Sequence, residues 1–266
     1  MPGSSPPDRP AAGREFVSGL GLLGRGLGLY LRSPALVGLG LVPALISGTL
    51  FLAALVTLAY FVDDLAAWLT WFAGGWSAGW RDLVRLIAAA ALLGLGALVG
   101  VIAFTAVTLV IGDPFYEKIS EEVEGRLGGV PGEVVVPWWR SIRRSAADSL
   151  RLVAMSLLVG VPLFAAGFIP VVGQTVVPVL AALVGGWFLA VELTGVPFQR
   201  RGLRLPDRRR ALRAHRPLTL GFGVAVFLCF LVPFGAVLIM PAAVAGGTLL
   251  SRRVLGLSTA PPAAPR

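Results

Sequence analysis

Residues 152–191 read LVAMSLLVGVPLFAAGFIPVVGQTVVPVLAALVGGWFLAV, forty residues without one charged side chain. As a single helix rising about 1.5 Å per residue, this stretch would measure about 60 Å, twice the roughly 30 Å core of a bilayer. It must therefore fold back. The sequence IPVVGQ at residues 169–174, with Pro170 and Gly173, is typical of a turn. We predict a helical hairpin over residues 152–198, with arms of about 18 residues, roughly 27 Å each.

Three other apolar runs complete the pattern. Residues 36–62 and 86–112 each have 27 residues without a charge, enough to span a bilayer once. Residues 218–250 would form a helix of about 50 Å, but Pro233 and Gly235 interrupt them near the middle. We predict a second hairpin there, with arms of about 15 residues, only some 22 Å long.

Composition supports this class of protein. The chain is 56% hydrophobic and 14% charged, whereas a soluble domain has about 25% charged residues. One cysteine, Cys229, and one histidine, His215, exclude an intrachain disulfide and a multi-histidine metal site. We predict an all-α integral membrane protein that is not an enzyme and has no cofactor and no metal.

The distribution of basic residues orients the chain. Of 23 basic residues, 21 lie outside residues 63–85, the connection between the two single spans. Cytoplasmic loops are enriched in lysine and arginine. All the arginine-rich segments lie on the same side of the membrane only if the apolar runs 152–191 and 218–250 each fold back as a hairpin. We therefore expect both termini in the cytoplasm, although charge alone leaves open whether each hairpin crosses fully.

The ends of the chain differ from its centre. Residues 14–31 place Phe16, Leu20, Leu23 and Leu27 on one helical face, which predicts an amphipathic helix at the membrane surface. A GxGxxG pattern within this segment lacks the preceding strand of a dinucleotide site. We expect disordered tails at residues 1–13 and 258–266, no cleavable signal, and a single membrane domain over residues 14–257.

Two groups of charged residues follow the apolar runs. Asp113, Pro114 and Phe115 have the form of a helix start, leading into a helix whose glutamates form a solvated acidic face or a partner-binding surface. Glu192 ends the third run, where it is either a pathway residue or the partner of Arg200 or Arg201 in a structural ion pair.

The arginines after the third run favour anionic lipids as partners. We expect no nucleic-acid partner, because no aromatic residues alternate with these arginines. Interrupted helices, in turn, can point backbone N–H groups at an anion inside the membrane, which makes Pro170, Gly173, Pro233 and Gly235 candidates for a pathway or gate. Packing alone is the other explanation of the interruptions. The candidate lipid-binding residues are Arg200, Arg201, Arg204, Arg208, Arg209 and Arg210.

Two segments resemble a known family. GDPFYEKISEEVE at residues 112–124 resembles the stretch that follows the second span of CysZ-type proteins. ALRAHR at residues 211–216, followed by VPF at 232–234 and MPAAVAG at 240–246, looks like the C-terminal hairpin of the CysZ/etoposide-induced protein 2.4 superfamily. The resemblance covers roughly residues 16–250.

This resemblance implies a homo-oligomeric bacterial inner-membrane protein with two long spans and two incompletely penetrating hairpins. It also implies sulfate uptake that feeds cysteine synthesis. The family's anion contact lies in an arginine-containing loop, which corresponds here to Arg32 and Ser33. A sulfate or related oxyanion permease is thus the leading hypothesis. The alternative is a non-transporting scaffold or lipid-interacting protein that uses the arginines of residues 200–216.

Overall fold

The computed structural model describes residues 11–130, 132, 138–232 and 234–261, with the backbone alone at 105 and 138–146. These residues form α-helices and one short 3₁₀ turn, and no β-strand occurs among them. Five helices are long and apolar enough to cross a membrane, which confirms the predicted all-α class. The helices are α1 (Ala12–Leu31), α2 (Pro34–Leu69), α3 (Ala78–Arg126), α4 (Trp138–Ala166), α5 (Val172–Leu193), α6 (Gly195–Arg200), α7 (Leu205–Ala214), α8 (Arg216–Phe230) and α9 (Gly235–Val254).

The chain divides into two compact units, of which the smaller comprises Gly40–Phe115. It consists of the greater part of α2 and α3, joined by residues 70–77. The rings of Phe51 and Phe104 lie 6.2 Å apart at a tilt of 54°, and Gly100 lies beneath Phe51. The hydroxyl of Thr57 donates to the carbonyl of Ala53 at 2.8 Å, so this polar group is satisfied within its own helix.

The predicted helix start at Asp113, Pro114 and Phe115 is wrong. α3 runs without interruption from Ala78 to Arg126, with Pro114 inside it. Proline removes one hydrogen bond, to the carbonyl of Val110, whereas ending one helix and starting another would leave about four carbonyls and four N–H groups without partners. Membrane-spanning helices also tolerate an internal proline because neighbouring groups can satisfy the carbonyl that it frees. Other helices of the chain also contain one, at Pro43, Pro162, Pro178 and Pro241.

The turn expected in residues 169–174 is present in the larger unit. α4 ends at Ala166, α5 begins at Val172, and the two helices pack against each other. Val171 adopts a φ of 68°. A Cβ on Gly173 would collide with the carbonyl oxygen of Gly167, so the close turn requires glycine there. Gly173 thus has a structural role, and Pro170 lies exposed at the tip.

The second expected turn is also present, between α8 and α9. Phe234 has a φ of 61°, and a Cβ on Gly235 would meet the carbonyl oxygen of Cys229. Pro233 lies outside the described residues.

Three of the four hairpin arms are longer than expected, including α4 with 29 residues. Only α8, with 15 residues, has the short length predicted for the second hairpin. α5 has 22 residues and α9 has 20, because both helices continue through the charged residues that end their apolar runs, such as Glu192 and Arg252.

α9 forms the centre of the larger unit, which comprises residues 1–39 and 116–266. It packs against α1 and α8, and α8 packs in turn against α5. Buried Ser120 and Thr248 share a 2.9 Å hydrogen bond between the end of α3 and α9. The end of α3 is amphipathic, since Ile119 and Val123 are buried, as is Leu127 directly after the helix.

The predicted helix at residues 14–31 is present as α1, and the face that it buries inside the protein is a different one from the predicted membrane-facing side. Its buried residues are Gly19, Leu22, Gly26 and Tyr30, whereas Leu20, on the predicted apolar face, is exposed. A Cβ on Gly19 would meet the carbonyl oxygen of Leu218 on α8. Glycine here allows two helix backbones to approach closely, which a search for large apolar residues overlooks.

Both expected tails are only partly described. α1 begins at Ala12, so the last residues of the predicted N-terminal tail are helical. At the other end, Arg252 Nε donates to the Ser258 carbonyl at 2.7 Å, and Arg25 Nη2 donates to the Thr259 carbonyl at 2.8 Å. Residues 1–10 and 262–266 lie outside the described chain.

Candidate anion-binding site

The junction of α1 and α2 contains both residues assigned to the anion contact. Arg32 is the C-cap of α1, and Pro34 is the first residue of α2. Ser33 lies between them and is 3% exposed. Its Oγ accepts the N–H of Leu36 at 3.4 Å, as an N-capping side chain does. Proline in the first position needs no hydrogen bond, so the sequence Ser-Pro begins α2 at this point.

A second arginine, Arg126 at the end of α3, completes the junction. Its Nη2 donates to Ser33 Oγ at 2.6 Å, and its Nε donates to Glu122 Oε1 at 3.0 Å. Ser33 is therefore fixed from two sides. The sequence interpretation missed Arg126, because it lies 93 residues from Ser33 and no local pattern connects them.

Arg32 differs from Arg126 because its side chain is exposed and makes no polar contact with another side chain among the described residues. No hydrogen bond or ion pair joins its guanidinium to any other side chain in the described part of the chain. It lies where α2 begins, and the N-terminus of a helix has a partial positive charge. A guanidinium beside a helix N-terminus provides both charge and directed donors, the two features that bind an oxyanion.

Two residues before Arg126, Glu124 forms a buried ion cluster with Arg201 and Arg252. Arg201 Nη1 donates to Glu124 Oε1 at 2.7 Å, and Arg252 Nη1 donates to Glu124 Oε2. The Glu124 side chain is 1% exposed and the two arginine side chains are 10% and 6% exposed. One carboxylate thus faces two guanidinium groups, and the cluster has a net charge of +1.

Backbone carbonyls complete this buried ion cluster. Arg252 Nη2 donates to the carbonyl of Leu127 at 2.6 Å, and its Nη1 donates to that of Gly129 at 3.1 Å. Arg201 Nη1 donates to the carbonyl of Pro197 at 2.8 Å. Buried charges are tolerated when they are paired and hydrogen-bonded in this way. The cluster fixes the end of α3, and with it Glu122 and Arg126, against α6 and α9.

For Glu124 the expected solvated face is wrong. Glu121 and Glu122 are exposed as predicted, but Glu124 lies on the buried side next to Val123. Arg201 pairs with Glu124, so it is not the ion-pair partner that was considered for Glu192.

Glu192 lies in a separate polar group between α4 and α5. Its Oε1 accepts a hydrogen bond from Ser149 Oγ at 3.1 Å. Arg208 is 4% exposed, its Nε has no hydrogen-bond partner among the described residues, and its Nη1 would lie 2.6 Å from a Cβ on Gly195. Burial lowers the pKa of Arg208, while the charges of Glu192 and Asp148 oppose that change. Glycine at 195 leaves the space that this guanidinium occupies.

The structure separates the six arginines that were assigned to lipid. Arg201 and Arg208 point into the protein, which corrects the prediction that all six form one lipid-facing surface. Arg204 and Arg210 are exposed and Arg209 is half-buried. Within the described residues, no group of three or more histidine, cysteine or acidic side chains is placed to hold a metal ion.

Comparison with known proteins identifies relatives of the chain. The family described as "Sulfate transporter CysZ/Etoposide-induced protein 2.4" matches residues 22–241. A sulfate transporter CysZ of Pectobacterium atrosepticum is 34% identical over 149 residues, which cover 55% of this chain and 54% of that protein. A sulfate transporter CysZ of Pseudomonas fluorescens is 34% identical over 161 residues, covering 59% and 64% respectively. The chain thus aligns with between half and two thirds of each relative.

Proposed function

Because the chain belongs to the sulfate transporter CysZ/etoposide-induced protein 2.4 family, we propose that it moves sulfate or a similar oxyanion across a membrane. The observation that carries this proposal is the α1–α2 junction. Arg32 is exposed, its guanidinium is uncommitted among the described residues, and it lies beside the start of a 36-residue helix. The two relatives described above are both named sulfate transporters.

Ser33 and Arg126 prepare the anion site without using Arg32. Arg126 holds the Ser33 hydroxyl at 2.6 Å and is itself paired with Glu122, so its own charge is largely compensated. Arg32 then supplies the uncompensated charge. In the first turn of α2, Pro34 has no N–H. Those of Leu36 and Val37 donate to the preceding serine, so the N–H of Ala35 is the backbone donor left for the anion. A dianion needs both, because charge alone does not replace the directed hydrogen bonds that it loses with its water.

The route through the membrane involves the two hairpins in this proposal. The turns at Pro170 and Gly173 and at Gly235 interrupt apolar segments, as the broken helices of transporters do. Glu192 lies near the other end of α5, with Arg208 close by. In this proposal the protein is not an enzyme: it transports the anion without changing it chemically, and the anion then enters sulfur assimilation.

The same proposal includes location and assembly. It places the chain in a bacterial inner membrane as a homo-oligomer with both termini in the cytoplasm. The arginines outside residues 63–85 support this orientation. Labelling of single introduced cysteines in a Cys229→Ala background tests it. Reagents that cannot cross the membrane should reach residue 75, between α2 and α3, from outside and residue 204 from inside only. Labelling of residue 204 from outside would overturn the orientation.

Uptake into proteoliposomes tests the function. Purified protein is reconstituted, and the entry of labelled sulfate is compared with that of empty vesicles and of vesicles containing Arg32→Ala. We expect uptake above the empty control that unlabelled sulfate competes away and that Arg32→Ala lowers about tenfold or more, the loss of a charge-assisted contact. Wild-type uptake equal to that of empty vesicles would overturn the proposal.

A further inference from the structure

A cavity lies between α4 and α7, away from the α1–α2 junction. Its volume is about 620 Å³, within the range of roughly 300–1,000 Å³ typical of ligand pockets. Arg151 and Met155 line it from α4, and Leu205, Arg209, Arg210 and Arg213 line it from α7. These six residues define the arginine pocket.

The charges of the arginine pocket are only partly compensated. Asp148 lies 3.9 Å from Arg151, and Asp207 lies 3.5 Å from Arg210. Arg209 Nη1 points at the sulfur of Met155, 3.2 Å away, and a thioether is a weak acceptor. Four guanidinium groups therefore face two carboxylates, which leaves a net charge of +2 for a ligand to neutralise.

The surroundings of the arginine pocket are apolar on one side. Arg151 and Met155 belong to the first turns of the membrane-length stretch Ala147–Ala166. On the same helix, Leu158 is 76% exposed and Val161 is 61% exposed, and at about 100° per residue both lie within roughly 80° of Arg151 around the helix axis. A basic pocket thus adjoins a bare apolar helix surface, which is the arrangement that a phospholipid matches with its headgroup and its acyl chains. A soluble anion would use only the first of these features.

We propose that the arginine pocket binds the headgroup of an anionic phospholipid, whose acyl chains lie along α4. A headgroup with two phosphates matches the net charge of +2 better than one with a single phosphate. Basic pockets between membrane helices on the cytoplasmic side bind such lipids. The site differs from the arginine surface expected from the sequence. It keeps only Arg209 and Arg210 of the six expected arginines, and it gains Arg151 and Arg213.

Native mass spectrometry of the full chain in detergent tests this proposal. Cardiolipin, phosphatidylglycerol and phosphatidylcholine are titrated separately against the wild type and against Arg151→Gln/Arg213→Gln. The matched control, Arg216→Gln/Arg253→Gln, also removes two exposed arginines of the same unit but none from the pocket. We expect affinity in the order cardiolipin, phosphatidylglycerol, phosphatidylcholine. The pocket variant should lose cardiolipin affinity about tenfold or more, and the control should change little.

Two results would overturn the proposal. An equal loss in the pocket and control variants would show general adsorption of lipid to a basic surface. Displacement of cardiolipin by equimolar pyrophosphate would show that the pocket holds a soluble phosphate compound and not a lipid. The unfolding temperature of each variant is measured in parallel. If the double variant is unstable, Arg210→Gln replaces it, because that side chain is 81% exposed.

Discussion

α3 and α9 are both apolar enough to cross a membrane, yet they differ in how much of each is buried inside the protein. Within the most apolar 18-residue window of each helix, 78% of α9 is buried inside the protein and none of α3 is. α9 is surrounded by other helices of the larger unit, whereas α3 presents its apolar residues outwards. Hydropathy therefore identifies helices of membrane length but does not distinguish a central helix from one that faces lipid.

Small residues account for the difference. Gly246 and Gly247 of α9 face the backbones of Leu22 and Leu193, where a Cβ would lie 3.0 Å and 2.7 Å from the carbonyl oxygens. On α3, Gly96 and Gly100 meet side chains instead, and Gly94 meets nothing within 4 Å. Glycine at these positions lets the backbone of α9 lie close to the backbones of its neighbours. The helices of the larger unit therefore pack closely around α9.

The largest effect should come from breaking the buried ion cluster of the larger unit. Glu124→Gln leaves Arg201 and Arg252 buried without a carboxylate, which should lower the free energy of unfolding by about 3–5 kcal/mol. Chemical denaturation in detergent micelles measures it. The matched control is Glu122→Gln, whose carboxylate is exposed and pairs with Arg126 across one helical turn. That variant should cost no more than about 1 kcal/mol, and an equal loss for both variants would contradict the account.

A smaller effect should follow from adding one methyl group to the packed face of α1. A Cβ at Gly26 would collide with the carbonyl oxygen of Ala242 on α9, so Gly26→Ala should destabilise the protein by about 1–3 kcal/mol. Gly24 lies on the same helix with nothing within 4 Å of its Cβ position. Gly24→Ala should instead stabilise by about 0.5–1 kcal/mol, since alanine favours helix. The change in unfolding temperature of both variants is measured. A change of the same sign for both would contradict the assignment of Gly26 to the packed face of α1.

The smallest effect is expected in the smaller unit. Gly100→Ala meets only the ring of Phe51, which can turn away, and Gly94 has open space at its Cβ position. Both alanine variants should therefore change the free energy of unfolding by less than about 1 kcal/mol, because a side chain yields where a backbone does not. A loss for Gly100→Ala as large as that for Gly26→Ala would remove the proposed contrast between the two units.

Sequence analysis predicted the helical class, the two turns and the helix before the first span, because length and charge depend on local runs of residues. It wrongly predicted a helix start at Pro114. The helix continues there because losing one hydrogen bond costs less free energy than creating two new helix ends. Sequence analysis also failed for Glu124, whose partners Arg201 and Arg252 lie 77 and 128 residues further along the chain. Pairings at such distances follow from tertiary packing, and a single sequence contains no local sign of them.

The candidate site was predictable only in part. Arg32 and Ser33 came from a resemblance in a short loop, and the structure places both at a helix start. The role of Arg126 required coordinates, since one arginine at the end of a helix is an ordinary feature. Burial of Arg208 was likewise hidden, because a run of arginines ordinarily indicates a solvated face.

Equilibrium dialysis of labelled sulfate against the purified chain tests the central claim, that Arg32 at the α1–α2 junction binds the anion. The wild type is compared with Arg32→Gln and with Arg14→Gln, which removes another exposed arginine near the other end of α1. We predict that Arg32→Gln weakens sulfate binding about tenfold or more, as loss of a charge-assisted hydrogen bond requires, and that Arg14→Gln leaves it unchanged. Equal affinities for Arg32→Gln and the wild type would contradict the account.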